Sequence, residues 1–204
     1  TSLAYGAVQV AFALAQFISA PILGALSDRF GRRPPLLFGL SLFFFAAVAA
    51  SQATTMTALI GARFLQGFGG CAGMVIARAV VRDRCEASQA AQAFSMLILV
   101  MGLAPILAPM AGSWLLVHYG WHSIFWFLAL VGAILWITNF QLLPETLHPS
   151  HRQPFNVRHL MRGYWALGSS PKFLLLALAS GVPFNGMFLY VLSAPAFLGE
   201  HLKL

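Results

Sequence analysis

An all-α polytopic membrane protein is the fold class this sequence predicts, and three observations predict it. The chain is 59% hydrophobic and only 8% charged over 204 residues, with a mean hydropathy of +0.80, far from what a water-facing domain needs. Six predominantly apolar runs, 4–26, 35–53, 56–78, 93–117, 122–143 and 173–198, each approach or exceed the about 20 residues that cross the hydrocarbon as a helix. Finally, arginine and lysine gather in alternate connections between those runs, as topology-setting charges do.

The first two runs meet in "GALSDRFGRRPPLL", Gly24 to Leu37, where three arginines and one aspartate crowd a chain otherwise poor in charge. The second and third runs are parted by "SQATTMT", a short polar patch that reads as a tight turn between antiparallel helices. Arg82 and Arg84 precede the fourth run. "HYGWH", with Tyr119 and Trp121 suited to the headgroup level, turns the fourth run into the fifth. The long connection 144–172 then carries Arg152, Arg158, Arg162 and Lys172, and within it "FNVRHLMRGYW" is an amphipathic stretch able to lie in the membrane interface. It separates five runs from one, as a linker between halves would: 1–143 forms one bundle, 144–172 an inter-half loop and 173–204 the start of a second bundle.

The connections at 53–56 and 118–122 hold no arginine or lysine, so the basic loops are expected to face the cytoplasm, with Thr1 and Leu204 outside. The net charge of +7 sits in short clusters between apolar runs rather than in a water-facing patch, which argues against a nucleic-acid partner. Cys71 and Cys85 form neither a disulfide framework nor a metal-ligand pattern and read as unpaired packing residues. The histidines lie at span boundaries, in the long loop or at the chain end, and no acid stands well inside a run. An intramembrane enzyme is therefore disfavoured.

Three constellations carry candidate function. In "GALSDRFGRR", Gly24 permits close helix approach, Gly31 permits a turn, Pro34 and Pro35 suit the first turn of a helix, and Asp28 is the sole acid among Arg29, Arg32 and Arg33. A carboxylate there satisfies helix N-terminal amides or pairs with an arginine across an interface. Arg63 stands seven residues into the third run, about 10 Å from its outer end at the helical rise, a depth at which arginine usually faces a bundle interior or an aqueous cavity. Gly69, Gly73 and Ala77 make a small face beside it. In "GLAPILAPMAGSW", Ala104, Ala108 and Gly112 alternate with Pro105 and Pro109, which should bend the span and leave it a smooth side.

The pattern G-x-x-x-D-R-x-G-R-R resembles the loop between helices 2 and 3 of the major facilitator superfamily. Arg63, Gln66, Gly67 and Gly69 match its helix-4 motif R-x-x-Q-G-x-G, and Pro109 and Gly112 match part of its helix-5 antiporter motif, with Ala104, Ala108 and Ser113 in place of glycines. "GWHSIFWF" and "LLPETL" resemble the ends of helix 6, and "FNGMFLYVLSAPAFL" resembles helix 7 of the bicyclomycin-resistance (Bcr/CflA) group of drug:proton antiporters. The resemblance implies a partial major facilitator fold, six of twelve helices, with helix 1 before Thr1 and five helices after Leu204.

It further implies multi-pass residence in a bacterial inner (cytoplasmic) membrane, no enzymatic activity and no cofactor. A complete protein would act as a monomer, using the proton gradient to export drugs or small amphipathic molecules. The implied roles are proton coupling for Arg63, a cytoplasmic gate for Gly24, Asp28, Arg29, Gly31, Arg32 and Arg33, and interface shaping for Pro105, Pro109 and Gly112. By residue type Met74, Met101, Phe184, Asn185 and Tyr190 are substrate-contact candidates, Asn185 foremost because an amide in hydrocarbon needs a partner. A porter for a defined metabolite, and an inactive truncated product, remain the alternatives, since the fold hosts many substrates and alternating access requires two halves.

Overall fold

In the computed structural model, residues 2–148, 150, 152, 157–182 and 186 are described. Six helices are delimited: α1 (Ser2–Phe30), α2 (Arg33–Ser51), α3 (Met56–Arg84), α4 (Ala87–Tyr119), α5 (His122–Leu142) and α6 (Val157–Gly168). A further helical stretch, Pro171–Val182, follows. No strand occurs among the described residues. Residues 1–155 and 156–204 form two compact units.

In the first unit α3 is central. It packs against α1 and α2, and α2 packs in turn against α5. The contact layer is built from Leu23, Leu36, Leu40, Cys71, Ala72 and Ile76, with fully buried alanines at Ala15, Ala47, Ala50 and Ala72. Small residues fill the helix contacts while Phe17 and Val117 stand 81% and 78% exposed. That inversion suits lipid, where close backbone approach and dispersion, rather than exclusion of large apolar groups from water, hold helices together. Gly69 shows the closeness: a Cβ there would lie 2.5 Å from the Gly39 carbonyl oxygen and 2.6 Å from the Phe43 nitrogen. Buried Ser19, Ser27 and Ser51 donate to carbonyls within their own helices, which satisfies each hydroxyl proton locally.

Five helices are long and apolar enough to span a membrane: Gly6–Phe30, Arg33–Ser51, Met56–Arg84, Ser88–Tyr119 and His122–Leu142. The sequence-derived spans underestimate most of them. α1 continues four residues past 26, α3 six past 78, and α4 begins six before 93, because the apolar criterion ends near the first charge whereas a helix continues into the headgroups and water. The polar patch after α2 does form a turn: Thr55 caps α3 through its hydroxyl, which accepts from the Ala58 N–H at 3.2 Å. At the other turn Gly120 ends α4 with φ +79°, a conformation glycine adopts without a Cβ penalty.

α4 stands apart from the other long helices. It runs as one α-helix through Pro105 and Pro109, and none of its described residues is buried. A Cβ at Gly112 would meet nothing within 4 Å. The small-residue ladder of α4 therefore faces no partner helix within this unit. The ladder on α3 divides as well: Gly69 lies against α2, whereas a Cβ at Gly73 would meet nothing within 4 Å. Within 144–172, expected as a loop, α6 occupies Val157–Gly168, as the amphipathic stretch foreshadowed.

Candidate functional site

The end of α1, the start of α2, the end of α3 and the segment just past α5 converge on Arg32. Its helix-capping position between α1 and α2 follows from Gly31, whose φ of +98° turns the chain and whose missing side chain leaves room for the Glu145 carboxylate. Arg32 is 6% exposed. Its Nε donates to Asp83 Oδ2 at 2.8 Å and its Nη1 to Ser27 Oγ at 2.9 Å. Nη1 also donates to Asp28 Oδ1, closing an (i, i+4) ion pair across the end of α1. A planar guanidinium suits this task because its donors diverge in fixed directions and meet acceptors from two helices at once.

Glu145, just past α5, completes the node from the other side. Its Oε1 accepts from the Arg32 N–H at 2.8 Å and its Oε2 from the Arg33 N–H at 3.2 Å. Oε1 accepts as well from the N–H groups of Thr146 and Leu147, each at 3.0 Å. Thus the carboxylate that caps the N-terminus of α2 belongs to Glu145, and Asp28 pairs locally with Arg32, four residues along, rather than with an arginine across an interface. Burial alone would raise the Glu145 pKa, but the backbone donors of Arg32, Leu147, Arg33 and Thr146 hold it below the ordinary carboxylate value. Burial likewise opposes charge on Arg32, yet its bonds to Asp83 and Asp28 raise its pKa above the usual guanidinium value.

The other motif arginines diverge. Arg33 donates to the Phe140 carbonyl and lies 5.2 Å from the Phe140 ring centre, tying α2 to α5. Arg29 is exposed and rests 5.1 Å from the Phe30 ring centre. Gly24 does not require its missing Cβ, since one there would make ordinary contact with Val75 at 3.7 Å. The sequence motif does not contain Asp83 or Glu145, although a signal exists: the chain holds five acids, and these two stand at the other arginine-bearing connections, at the end of α3 and just past α5.

Arg63 occupies a different setting. Its Nη1 donates to Gln66 Oε1 at 2.7 Å, and its Cζ lies 4.4 Å from the Phe12 ring centre on α1 and 5.9 Å from that of Phe125 on α5. Aromatic faces carry negative charge density and attract a cation even in a dry site. No carboxylate among the described residues pairs with it. Gln66 is fully buried, and its Nε2 lacks a hydrogen-bond partner among the described residues. Gly67 sets the spacing: a Cβ there would lie 2.5 Å from the Phe12 carbonyl oxygen and 3.2 Å from Ala15 Cβ, so only glycine lets α1 bring Phe12 to Arg63.

A third feature is a groove of about 420 Å³ between α3 and α4, lined by Gly73, Met74, Ala77, Arg78, Phe94, Leu97, Ile98 and Met101. It unites Met74 and Met101, both substrate-contact candidates by residue type. Phe184, Asn185 and Tyr190 lie outside the described residues. Cys71 and Cys85 are both free, and Cys71 is buried against the Gln16 carbonyl. Among the described residues no three metal-ligating side chains cluster.

This arrangement has counterparts. The profile of the Major Facilitator Superfamily matches residues 1–204. The chain is 35% identical over 176 residues to "Uncharacterized MFS-type transporter YdgK" of Bacillus subtilis, covering 85% of this chain and 44% of that protein. It is 30% identical over 168 residues to a bicyclomycin resistance protein homolog of Haemophilus influenzae, covering 82% and 42%. Multidrug resistance protein MdtL of Escherichia coli is 35% identical over 123 residues, 60% of this chain and 32% of that one. Among solved structures, the human organic anion transporter MFSD10 (TETRAN) superimposes with a TM-score of 0.67 at 27% identity, over 76% of this chain and 36% of that one. The chain thus spans less than half the length of these relatives. With its apolar helices, its glycine-turned ionic node and a family match along its whole length, this multi-pass membrane chain belongs to the Major Facilitator Superfamily, a family of transporters.

Proposed function

We propose that this chain is part of a secondary active transporter of the bicyclomycin-resistance group, exporting drugs or small amphipathic molecules across a bacterial inner membrane in exchange for protons. The observation that carries the reading is Arg63, held within a spanning helix by one amide and two aromatic faces and paired with no described carboxylate. A cation so placed attracts a counter-charge, and a carboxylate that gains and loses a proton beside it would tie proton movement to conformation. The relatives named for bicyclomycin and multidrug resistance support the substrate class. The apolar groove with Met74, Met101 and one arginine, Arg78, offers the mixed surface amphipathic molecules need.

The basic loops face the cytoplasm in this reading, so the Arg32 node lies at the inner mouth, where it holds α1, α2, α3 and α5 together as a gate element. No cofactor is invoked; the proton gradient supplies the energy, and the complete protein acts as a monomer. The test is Arg63→Ala in the intact transporter. Proton-driven export from proteoliposomes should fall to background while folding, read by gel filtration in detergent, persists. Full export by that variant would refute the coupling role.

A further inference from the structure

We propose that α6 is an in-plane anchor that docks on anionic phospholipid headgroups through a basic side and an aromatic apolar side. The helix was not required by the transport reading, and its own chemistry argues for a charged lipid surface. At 100° per residue, positions 157, 160, 161, 164, 165, 167 and 168 of Val157–Gly168 fall on one side. Positions 158, 159, 162, 163 and 166 fall on the other, and the sequence puts only small or basic residues there, Arg158 and Arg162 among them. The apolar side is bare within its own unit: Met161, Tyr164 and Trp165 are 66%, 51% and 80% exposed. With Gly168 and Ser169 these three line a surface recess of about 350 Å³, room for glycerol and upper acyl-chain atoms.

Two further observations select the occupant. From 146 to 199 the sequence contains no acid but holds Arg152, Arg158, Arg162 and Lys172, so the segment is complementary to a negatively charged surface and to no positively charged partner. In addition, Met161–Gly168 and Pro171–Val182 meet at 79°. Pro171–Val182 is apolar, with Leu175, Leu176 and Leu178 exposed, and a helix of that kind entering the bilayer near its normal leaves α6 close to the membrane plane. There Trp165 and Tyr164 sink to the headgroup boundary, and Arg162 reaches phosphates.

The experiment places the intact protein in bilayer nanodiscs of phosphatidylcholine alone or with about one third phosphatidylglycerol, a typical anionic fraction for this purpose. Trp165 is read by subtracting the emission of Trp165→Phe, with brominated lipid as the membrane quencher and acrylamide as the aqueous one. In anionic discs the Trp165 emission should shift to the blue, be quenched by brominated lipid and resist acrylamide. Arg158→Gln with Arg162→Gln should lower the docked-to-free ratio about 25-fold, and added salt should shrink the difference. Arg158→Lys with Arg162→Lys keeps the charge and should keep the docking, which separates charge from a loss of helix. Equal quenching in both lipids would overturn the anionic specificity, as would loss of docking in the lysine variant. Acrylamide-accessible Trp165 in both lipids would overturn the anchor itself.

Discussion

Arg32 and Arg63 are the same side chain in opposite circumstances. Arg32 is surrounded by oxygen: Asp28, Asp83 and Ser27 accept hydrogen bonds from its guanidinium, and Glu145 accepts one from its backbone N–H. Arg63 has one amide oxygen and two aromatic faces. The first arrangement is electrically closed and joins several helix ends into one block; the second is open, with positive charge left uncompensated among the described residues. A closed cluster makes a bracket, and an open one makes a sensor of whatever charge approaches. The lesson is that counting arginines in a membrane protein says little until their acceptors are known, since desolvation and pairing nearly cancel.

The contrast can be broken most strongly at Arg32. Arg32→Ala leaves Asp28 and Asp83 facing each other with no cation between them; it should cost about 2–3 kcal/mol, less than the loss of a fully buried pair because Asp28 keeps half its exposure. Thermal unfolding in detergent would show this as an early transition, and an unchanged melting profile would mean that the node contributes nothing.

Gly31→Ala comes next. It forces a side chain into φ +98° and against the Glu145 carboxylate, and should cost about 1–2 kcal/mol from the backbone alone, whereas Gly24→Ala, with its nearest neighbour at 3.7 Å, should be nearly neutral. Comparing the two variants in the same melt tests whether the motif's glycines are equivalent.

The smallest effect concerns pH. The Glu145 carboxyl sits below its ordinary 4.5 in the folded protein, so its share of stability is complete above that value and is lost as pH falls through the lower folded value. Glu145→Gln should flatten that part of the acid dependence of unfolding and lower stability by a constant amount above pH about 5, with no change of slope there. A wild-type profile in the variant would show that the carboxylate charge is not what caps α2.

Hydropathy, arginine placement and three short motifs, all linear features, make the all-α membrane class and the family legible in the sequence. The ends of the helices were less so, because an apolar run marks the hydrocarbon and not the helix. Gly31, Gly67 and Gly69 were visible as glycines, yet only the packing of α1 and α2 on α3, for Gly67 and Gly69, and the left-handed turn beside the Glu145 carboxylate, for Gly31, distinguish them from Gly24, Gly73 and Gly112, which a Cβ would not disturb. Asp83 and Glu145 show the same limit in charge. They lie 51 and 113 residues from Arg32, and no local pattern records that the ends of α3 and α5 arrive beside it.

By itself the sequence determined which segments prefer lipid, where the cations gather and which positions can turn, because transfer free energies and backbone sterics belong to individual residues. Only the tertiary structure decided which acid meets which base, which face of α3 carries α1 rather than α2, and that Arg63 rests on aromatic rings. Those outcomes depend on distances between helices, and helix separation is set jointly by every small residue at the contact.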